Sequence, residues 1–128
     1  MAQHYPSRRI LVVDDNFDAA ELVALLLTLQ GHECAFACNG ADALKAADRL
    51  DPDVIFLDIG MIGMDGYEVA LALRQFARFS STRIVALTAW GNSRTRAKAK
   101  ASGFDSHLVK PACLSDLMSE SALTRQIH

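Results

Sequence analysis

The chain has 128 residues, of which 51% are apolar, and its formal net charge is −2. A chain of this size and apolar content folds as one compact domain with its own core. The slightly acidic balance gives no reason to expect nucleic-acid binding, and no run approaches the roughly 18 apolar residues of a membrane span. We therefore expect a cytoplasmic protein that contacts neither nucleic acid nor membrane.

Five short apolar runs predict the strands of a buried sheet. They are ILVV (10–13), CAFA (34–37), VIFL (54–57), IVAL (84–87) and HLV (107–109). The three longest aliphatic runs are apolar at every position, which is typical of strands that are covered on both faces.

Segments with helical spacing lie between and after these runs. They predict helices over residues 17–30, 41–50, 66–77, 93–102 and 113–125. The first helix carries a leucine stripe that is expected to face the core, formed by Leu22, Leu25, Leu26 and Leu29. Asp65 and either Asn92 or Ser93 are expected to cap the third and fourth helices. The fourth helix is rich in Arg and Lys and has only alanines as apolar anchors, so we expect it to be mobile.

The repeated strand–helix order predicts an α/β fold. Right-handed crossovers give a parallel sheet with helices on both faces. The functional crevice of such a sheet lies at the carboxyl ends of its strands. We expect the domain to span residues 8–125, after a flexible lead-in over residues 1–7.

Chemically active residues follow four of the predicted strands. Asp14 and Asp15 follow the first strand, Asp58 the third, Thr88 the fourth and Lys110 the fifth. Three nearby carboxylates repel one another, and a single lysine cannot neutralise them. A hard divalent cation with oxygen ligands would do so, and Mg²⁺ suits the set because it also accepts phosphate oxygens.

With the cation bound, one carboxylate is available as a nucleophile toward phosphorus. Phosphoryl transfer then needs positioning and charge stabilisation. Lys110 is suited to neutralise one phosphoryl oxygen, and Thr88 to hydrogen-bond another. The alternative for Asp14 and Asp15 is that they only cap the first helix.

Four segments resemble the response-regulator receiver domains of two-component signalling, including the chemotaxis receivers. They are ILVVDDN (10–16), VIFLDIGMIGMDGYEVA (54–70), ALTA (86–89) and GFDSHLVKP (103–111). The resemblance covers roughly residues 8 to 118. It implies a single flavodoxin-like (βα)5 domain with sheet order 2-1-3-4-5.

The resemblance also implies a role for each site residue. Asp58 corresponds to the phospho-acceptor. Asp15 and Asp58 would bind Mg²⁺, or Mn²⁺ in its place, through carboxylate oxygens, Gly60 would bind it through its backbone carbonyl, and Asp14 would hold the metal's waters. Thr88 corresponds to the switch hydroxyl. Lys110 corresponds to the phosphate-binding lysine, and its peptide bond to Pro111 is expected to be cis.

Three positions depart from the family pattern. Ile62 replaces a frequent proline, which is expected to alter loop mobility. His107 replaces the usual tyrosine or phenylalanine and is expected to fill part of that aromatic's switching role with Thr88. The alternative is that His107 is a plain surface residue. Trp90 is expected either to shield the phosphoryl group, opposite the gap left by Gly60, or to contact a partner.

The resemblance implies partners and leaves alternatives open. A sensor histidine kinase or a histidine phosphotransfer protein would donate the phosphoryl group. A downstream protein or a second copy would bind the 93–125 face. Catalysis would be limited to phosphorylation and dephosphorylation of Asp58, in a stand-alone receiver or part of a hybrid kinase. The alternatives are a degenerate receiver that acts as a scaffold, and a haloacid-dehalogenase-like phosphatase, which is disfavoured because it needs an aspartate where Gly60 stands.

Overall fold

A computed structural model of the chain describes residues 6–61, 63–89 and 91–125. Its elements alternate as predicted: β1 (Arg9–Val13), α1 (Phe17–Leu29), β2 (Glu33–Ala37), α2 (Gly40–Leu50), β3 (Val54–Asp58), α3 (Gly66–Arg74), a 3₁₀ turn (Ala77–Phe79), β4 (Arg83–Thr88), α4 (Ser93–Ala101), β5 (Ser106–Val109) and α5 (Leu114–Ala122). Both α3 and α5 end earlier than predicted. Among the described residues, no helix combines the length and the apolar character that crossing a membrane requires.

The five strands form one parallel sheet in the order β2-β1-β3-β4-β5, which confirms the flavodoxin-like prediction. Alternate residues of each strand point to opposite faces of the sheet. Ile10, Val12 and Phe56 belong to the apolar layer that includes α1 and α5. Leu11 and Ile55 belong to the layer that includes α2, α3 and α4. The sheet is therefore covered on both sides, and its carboxyl edge lies between the two helical layers.

The predicted orientation of α1 is wrong. Leu22, Leu25 and Leu29 are 55%, 53% and 71% exposed. The α1 side chains buried against the sheet are Ala20, Ala24 and Leu27. These three residues have the same helical spacing as the leucine stripe, so periodicity alone could not choose between the two sides. The small alanines let the helix backbone approach the strands, and Leu22, Leu25 and Leu29 are left facing outward.

Side-chain caps explain where four of the helices begin. The side chains of Asn16, Asn39, Asp65 and Asn92 each accept a hydrogen bond from the backbone N–H three residues later. This confirms the caps predicted at Asp65 and Asn92. Because Asn16 caps α1, the carboxylates of Asp14 and Asp15 are not needed for that purpose. The caps of α1, α2 and α4 lie within four residues of the end of the preceding strand, whereas the cap of α3 lies seven residues after the end of β3.

Candidate metal and phosphoryl site

Three carboxylates meet at the carboxyl edge of the sheet, as the sequence predicts. Asp14 follows β1 and Asp58 ends β3, which is the strand paired with β1. One carboxylate oxygen from each of Asp14, Asp15 and Asp58 lies within 4.8 Å of the other two. Asp14 and Asp58 are buried, whereas Asp15 is exposed at the rim. A concentrated negative charge therefore opens to solvent on one side.

Lys110 crosses from β5 to the acidic cluster. Its Nζ lies 3.0 Å from Asp14 Oδ2 and 3.0 Å from Asp58 Oδ2. Its backbone N–H donates to the Thr88 carbonyl at 2.8 Å, and the Lys110–Pro111 peptide is cis, as predicted. Burial favours a lower pKa for Lys110, but the hydrogen bonds to Asp14 and Asp58 and their negative charges outweigh it and raise the pKa. Lys110 therefore stays charged and bridges the two buried carboxylates.

Both oxygens of the Asp58 carboxylate have partners. Oδ1 accepts a hydrogen bond from the Gly60 N–H at 2.9 Å, and Oδ2 faces Lys110. Burial raises the pKa of Asp58, and the charge of Asp14 adds to that effect, while the Gly60 and Lys110 hydrogen bonds oppose it. Asp58 is thus oriented by neighbours at a site where a lone carboxylate would be costly.

Asp14 is fixed in the same way. Its Oδ1 accepts from the Asn16 backbone N–H at 3.0 Å, and its Oδ2 accepts from Lys110. The alternative in which Asp14 only caps α1 therefore fails, because its oxygens are engaged elsewhere and Asn16 supplies the cap.

The donor set fits a hard divalent cation. Octahedral Mg²⁺, with oxygens about 2.0–2.1 Å away, holds its ligand atoms at most about 4.2 Å apart. The carboxylate oxygens of Asp15 and Asp58, the two expected ligands, are within 4.8 Å of each other, so small movements would suffice. With Asp14, Asp15 and Asp58 all ionised, the ammonium of Lys110 leaves two negative charges in the cluster, and one divalent cation would cancel them.

A crevice lies next to Asp58, on the β4 side. It is lined by Asp58, Ile59, Gly60, Tyr67, Thr88, Ala89, Thr95 and Lys110. Thr88 is buried at the end of β4, as predicted. No pattern in the sequence indicated Tyr67 and Thr95, because they line the crevice only through the packing of the first turns of α3 and α4.

Residues 10–122 match the Response regulator receiver domain family. The chain belongs to the response-regulator receiver family. The transcriptional regulatory protein PrrA of Mycobacterium tuberculosis is 39% identical over 121 residues, which cover 94% of this chain and 51% of PrrA. The CAI-1 autoinducer sensor kinase/phosphatase CqsS of Vibrio cholerae is 33% identical over 116 residues, which cover 90% of this chain and 17% of CqsS.

The fold comparison agrees with the sequence comparison. The solved structure of the chemotaxis protein CheY4 of Vibrio cholerae superimposes with a TM-score of 0.86 at 30% identity, covering 92% of this chain and all of CheY4. The receiver therefore spans the whole of a chemotaxis protein of this family, and about half the length of the PrrA proteins that it matches.

The receiver's His107 does not line the Asp58 crevice. It is partly buried in β5, opposite Ala86 of β4. It lines a separate pocket with Arg96, Lys100 and Arg125. The switching role predicted for His107 stays a prediction, and so does the metal-binding role of the Gly60 carbonyl. Ile62 and Trp90 lie outside the described residues.

Gly66 is a site residue of the receiver that the sequence analysis missed. A Cβ at this position would lie 2.5 Å from the Asp58 carbonyl oxygen and 2.6 Å from Ile59 Cα. Only glycine lets the first turn of α3 pack directly behind the phospho-acceptor candidate. The Asp65-Gly66 pair predicted the start of a helix, but nothing in its spacing indicated this close approach.

Proposed function

We propose that the receiver accepts a phosphoryl group from a phosphohistidine onto Asp58 and that this change controls protein binding. The observation that carries the proposal is the carboxylate of Asp58, oriented by the Gly60 N–H and Lys110 beside two further carboxylates. An oriented carboxylate next to fixed positive charge is suited to attack phosphorus.

In the proposed reaction an Asp58 oxygen forms a bond to phosphorus, and the bond between phosphorus and the donor imidazole nitrogen breaks. Lys110 neutralises one phosphoryl oxygen, and the Thr88 hydroxyl hydrogen-bonds another. Mg²⁺, or Mn²⁺ in its place, would be held by the Asp15 and Asp58 carboxylates and the Gly60 carbonyl, and would supply further charge neutralisation when bound. Asp14 would hold the waters of the metal.

Catalysis by the receiver is limited, in this proposal, to its own aspartate: water later hydrolyses the aspartyl-phosphate and resets it. A phosphatase of the haloacid dehalogenase type is disfavoured, since Gly60 stands where that family needs a second aspartate. A scaffold without phosphorylation is disfavoured by the full set of acidic residues and Lys110. We propose a cytoplasmic location and no nucleic-acid contact for these 128 residues.

The proposed donor is a sensor histidine kinase or a histidine phosphotransfer protein. A groove runs beside α1, between Leu22, Val23 and Leu26 on one side and the segment after β5 on the other, and it reaches Asp14, Asp15 and Lys110. A donor must bring its histidine to this rim, and the outward leucines of α1 offer an apolar docking surface there. A downstream protein or a second copy would bind the separate 93–125 face.

Mass spectrometry tests the proposal directly. Incubation with a small-molecule phosphodonor and Mg²⁺ should add one phosphoryl group to the protein, and Asp58→Asn should abolish this addition. Chelation of the metal should also prevent it, and Mn²⁺ should restore it. Absence of phosphorylation in the wild type, or equal phosphorylation of Asp58→Asn, would exclude Asp58 as the acceptor.

Leu25→Glu tests the docking surface separately. Leu25 is exposed on α1 and does not line the acidic cluster. The substitution should slow phosphorylation by a protein donor and leave phosphorylation by the small-molecule donor unchanged. Equal loss with both donors would contradict a docking role.

A further inference from the structure

Tyr67 lies between the Asp58 crevice and α4. It is the second residue of α3 and lines the crevice with Asp58 and Thr88. The Nζ of Lys98 in α4 lies 4.3 Å from the centroid of its ring. The ring also meets Phe104 edge-on, at a centroid distance of 6.3 Å. One rigid side chain therefore contacts the crevice, α4 and the segment that follows α4.

The remainder of α4 has few anchors. Ala99 is its only buried residue, and its charged side chains are exposed. Thr95, in the first turn, lines the same crevice as Tyr67. The contact of Lys98 with the Tyr67 ring is thus one of the few fixed points that hold α4 against the rest of the domain.

A phosphoryl group on Asp58 would replace the single negative charge of the carboxylate with a group that carries about two, and it would add three acceptor oxygens to this crevice. The Tyr67 ring and Thr95 border that space. A group in the crevice therefore changes both the space available to the ring and the electrostatic field around it. A shift of the ring would change its contacts with Lys98 and Phe104 together, because both depend on the same side chain.

We propose that Tyr67 is a positioning residue that couples occupancy of the Asp58 crevice to the position of α4 through its contact with Lys98. This inference rests on the proposed function. It assigns to Tyr67 a coupling role that the sequence analysis predicted for His107, which lines another pocket.

The test uses amide NMR spectra of the full chain with Mg²⁺ and beryllofluoride, a stable analogue of the phosphoryl group. In the wild type the Gly60 amide should report binding, and the α4 amides should shift with it. In Tyr67→Leu, at saturation judged from Gly60, the α4 shifts should fall to less than half. Tyr67→Phe keeps the ring and should retain the α4 shifts. A role that depended only on the Tyr67 hydroxyl would instead predict the loss of these shifts.

A matched pair of surface variants separates the ring contact from general loss of charge. Lys98→Gln removes the cation above the Tyr67 ring. Lys100→Gln removes an equal charge from the same helix, but Lys100 lines a different pocket. Lys98→Gln should reduce the α4 shifts and leave the extent of phosphorylation unchanged. Lys100→Gln should behave as the wild type does in both measurements.

The outcomes distinguish this inference from the function on which it rests. If α4 responds equally in the wild type and Tyr67→Leu while Gly60 reports binding, the coupling role is wrong and the phospho-acceptor assignment survives. Equal effects of Lys98→Gln and Lys100→Gln would likewise overturn it. If beryllofluoride shifts no amide around Asp58 in the wild type, the proposed function fails and the coupling role fails with it.

Discussion

The two sides of the Asp58 crevice are built differently. On the acidic side, Asp14, Asp58 and Lys110 are buried or partly buried, and each is bonded to at least two neighbours. On the other side, α4 has a single buried residue, Ala99, and a ring contact through Lys98. One side is preorganised, and the other is lightly held.

This difference suits the proposed function, in which the domain does chemistry and also changes shape. Groups that stabilise charge in a reaction lose effectiveness if they must first be ordered. An element that responds to the reaction must be drawn from the less stable part of the structure. The structure assigns these demands to opposite walls of one crevice, so each can be tested without removing the other.

The largest effect is expected from Gly66→Ala, which disturbs the preorganised side. The new Cβ would lie 2.5 Å from the Asp58 carbonyl oxygen, so α3 must shift. We expect a loss of about 1–3 kcal/mol in the free energy of unfolding, measured with urea. Gly60→Ala is the matched control, because its Cβ would meet only Asp58 Oδ1, at 3.5 Å. Similar losses in both variants would contradict the close approach.

Lys110→Gln tests the charge balance on the same side. Removing the ammonium leaves the Asp14 and Asp58 carboxylates without their shared cation. Phosphorylation by a small-molecule donor should slow roughly 10²-fold, as for loss of one electrostatic donor in an active site. Lys45→Gln on the exposed face of α2 should not change the rate. A rate within twofold of the wild type for Lys110→Gln would exclude its role.

Ala99→Gly tests the lightly held side. It removes the one buried methyl of α4 and lowers helix propensity, so α4 should lose about 1 kcal/mol of local stability. Hydrogen exchange of α4 amides should accelerate roughly fivefold while β1 and β3 stay protected. Ala101→Gly, at the exposed end of the helix, should have less effect. Acceleration across the whole sheet would mean that α4 does not open by itself.

The smallest effect concerns His32, at the amino edge of the sheet and away from both walls. Its Nδ1 accepts from the Arg8 N–H at 3.0 Å, and burial, followed by the charge of Arg8, lowers its pKa from 6.5. The unfolded chain therefore binds the proton more tightly, and stability is lost as pH falls below about 6.5. The free energy of unfolding is therefore expected to be lower at pH 5 than at pH 7.

His32→Gln provides the comparison for this titration. The variant lacks the titrating ring, so its free energy of unfolding should change less than that of the wild type over the same pH range. Urea denaturation at both pH values measures the difference. A parallel pH dependence in the two proteins would show that His32 is not the group that titrates.

The sheet and the acidic cluster were predictable from sequence for one physical reason. Strands that are apolar at every position must be covered on both faces, and such strands run parallel, with their carboxyl ends at one edge. The residues after those runs then had to meet, as Asp14, Asp58 and Lys110 do. Local capping at Asp65 and Asn92 was predictable because it depends on a few neighbouring residues.

Features that depend on how closely elements distant in sequence approach one another were not predictable. The outward leucines of α1 have the same period as its buried residues, and only packing against the sheet decides between them. The roles of Gly66 and Tyr67 depend on contacts across the fold, with the Asp58 carbonyl for Gly66 and with Lys98 for Tyr67. No pattern along the chain records those contacts.

The outward leucine row gives α1 two separate constraints on its sequence. The fold requires the buried residues Ala20, Ala24 and Leu27, whereas replacing the exposed Leu25 and Leu29 should change the free energy of unfolding little. A saturation mutagenesis screen for folding should therefore tolerate polar residues along the outer row, and a screen for signalling with the native donor should reject them. Accepted substitutions in this helix would therefore be limited on both of its faces, although measurements of folding stability detect the limit on only one face.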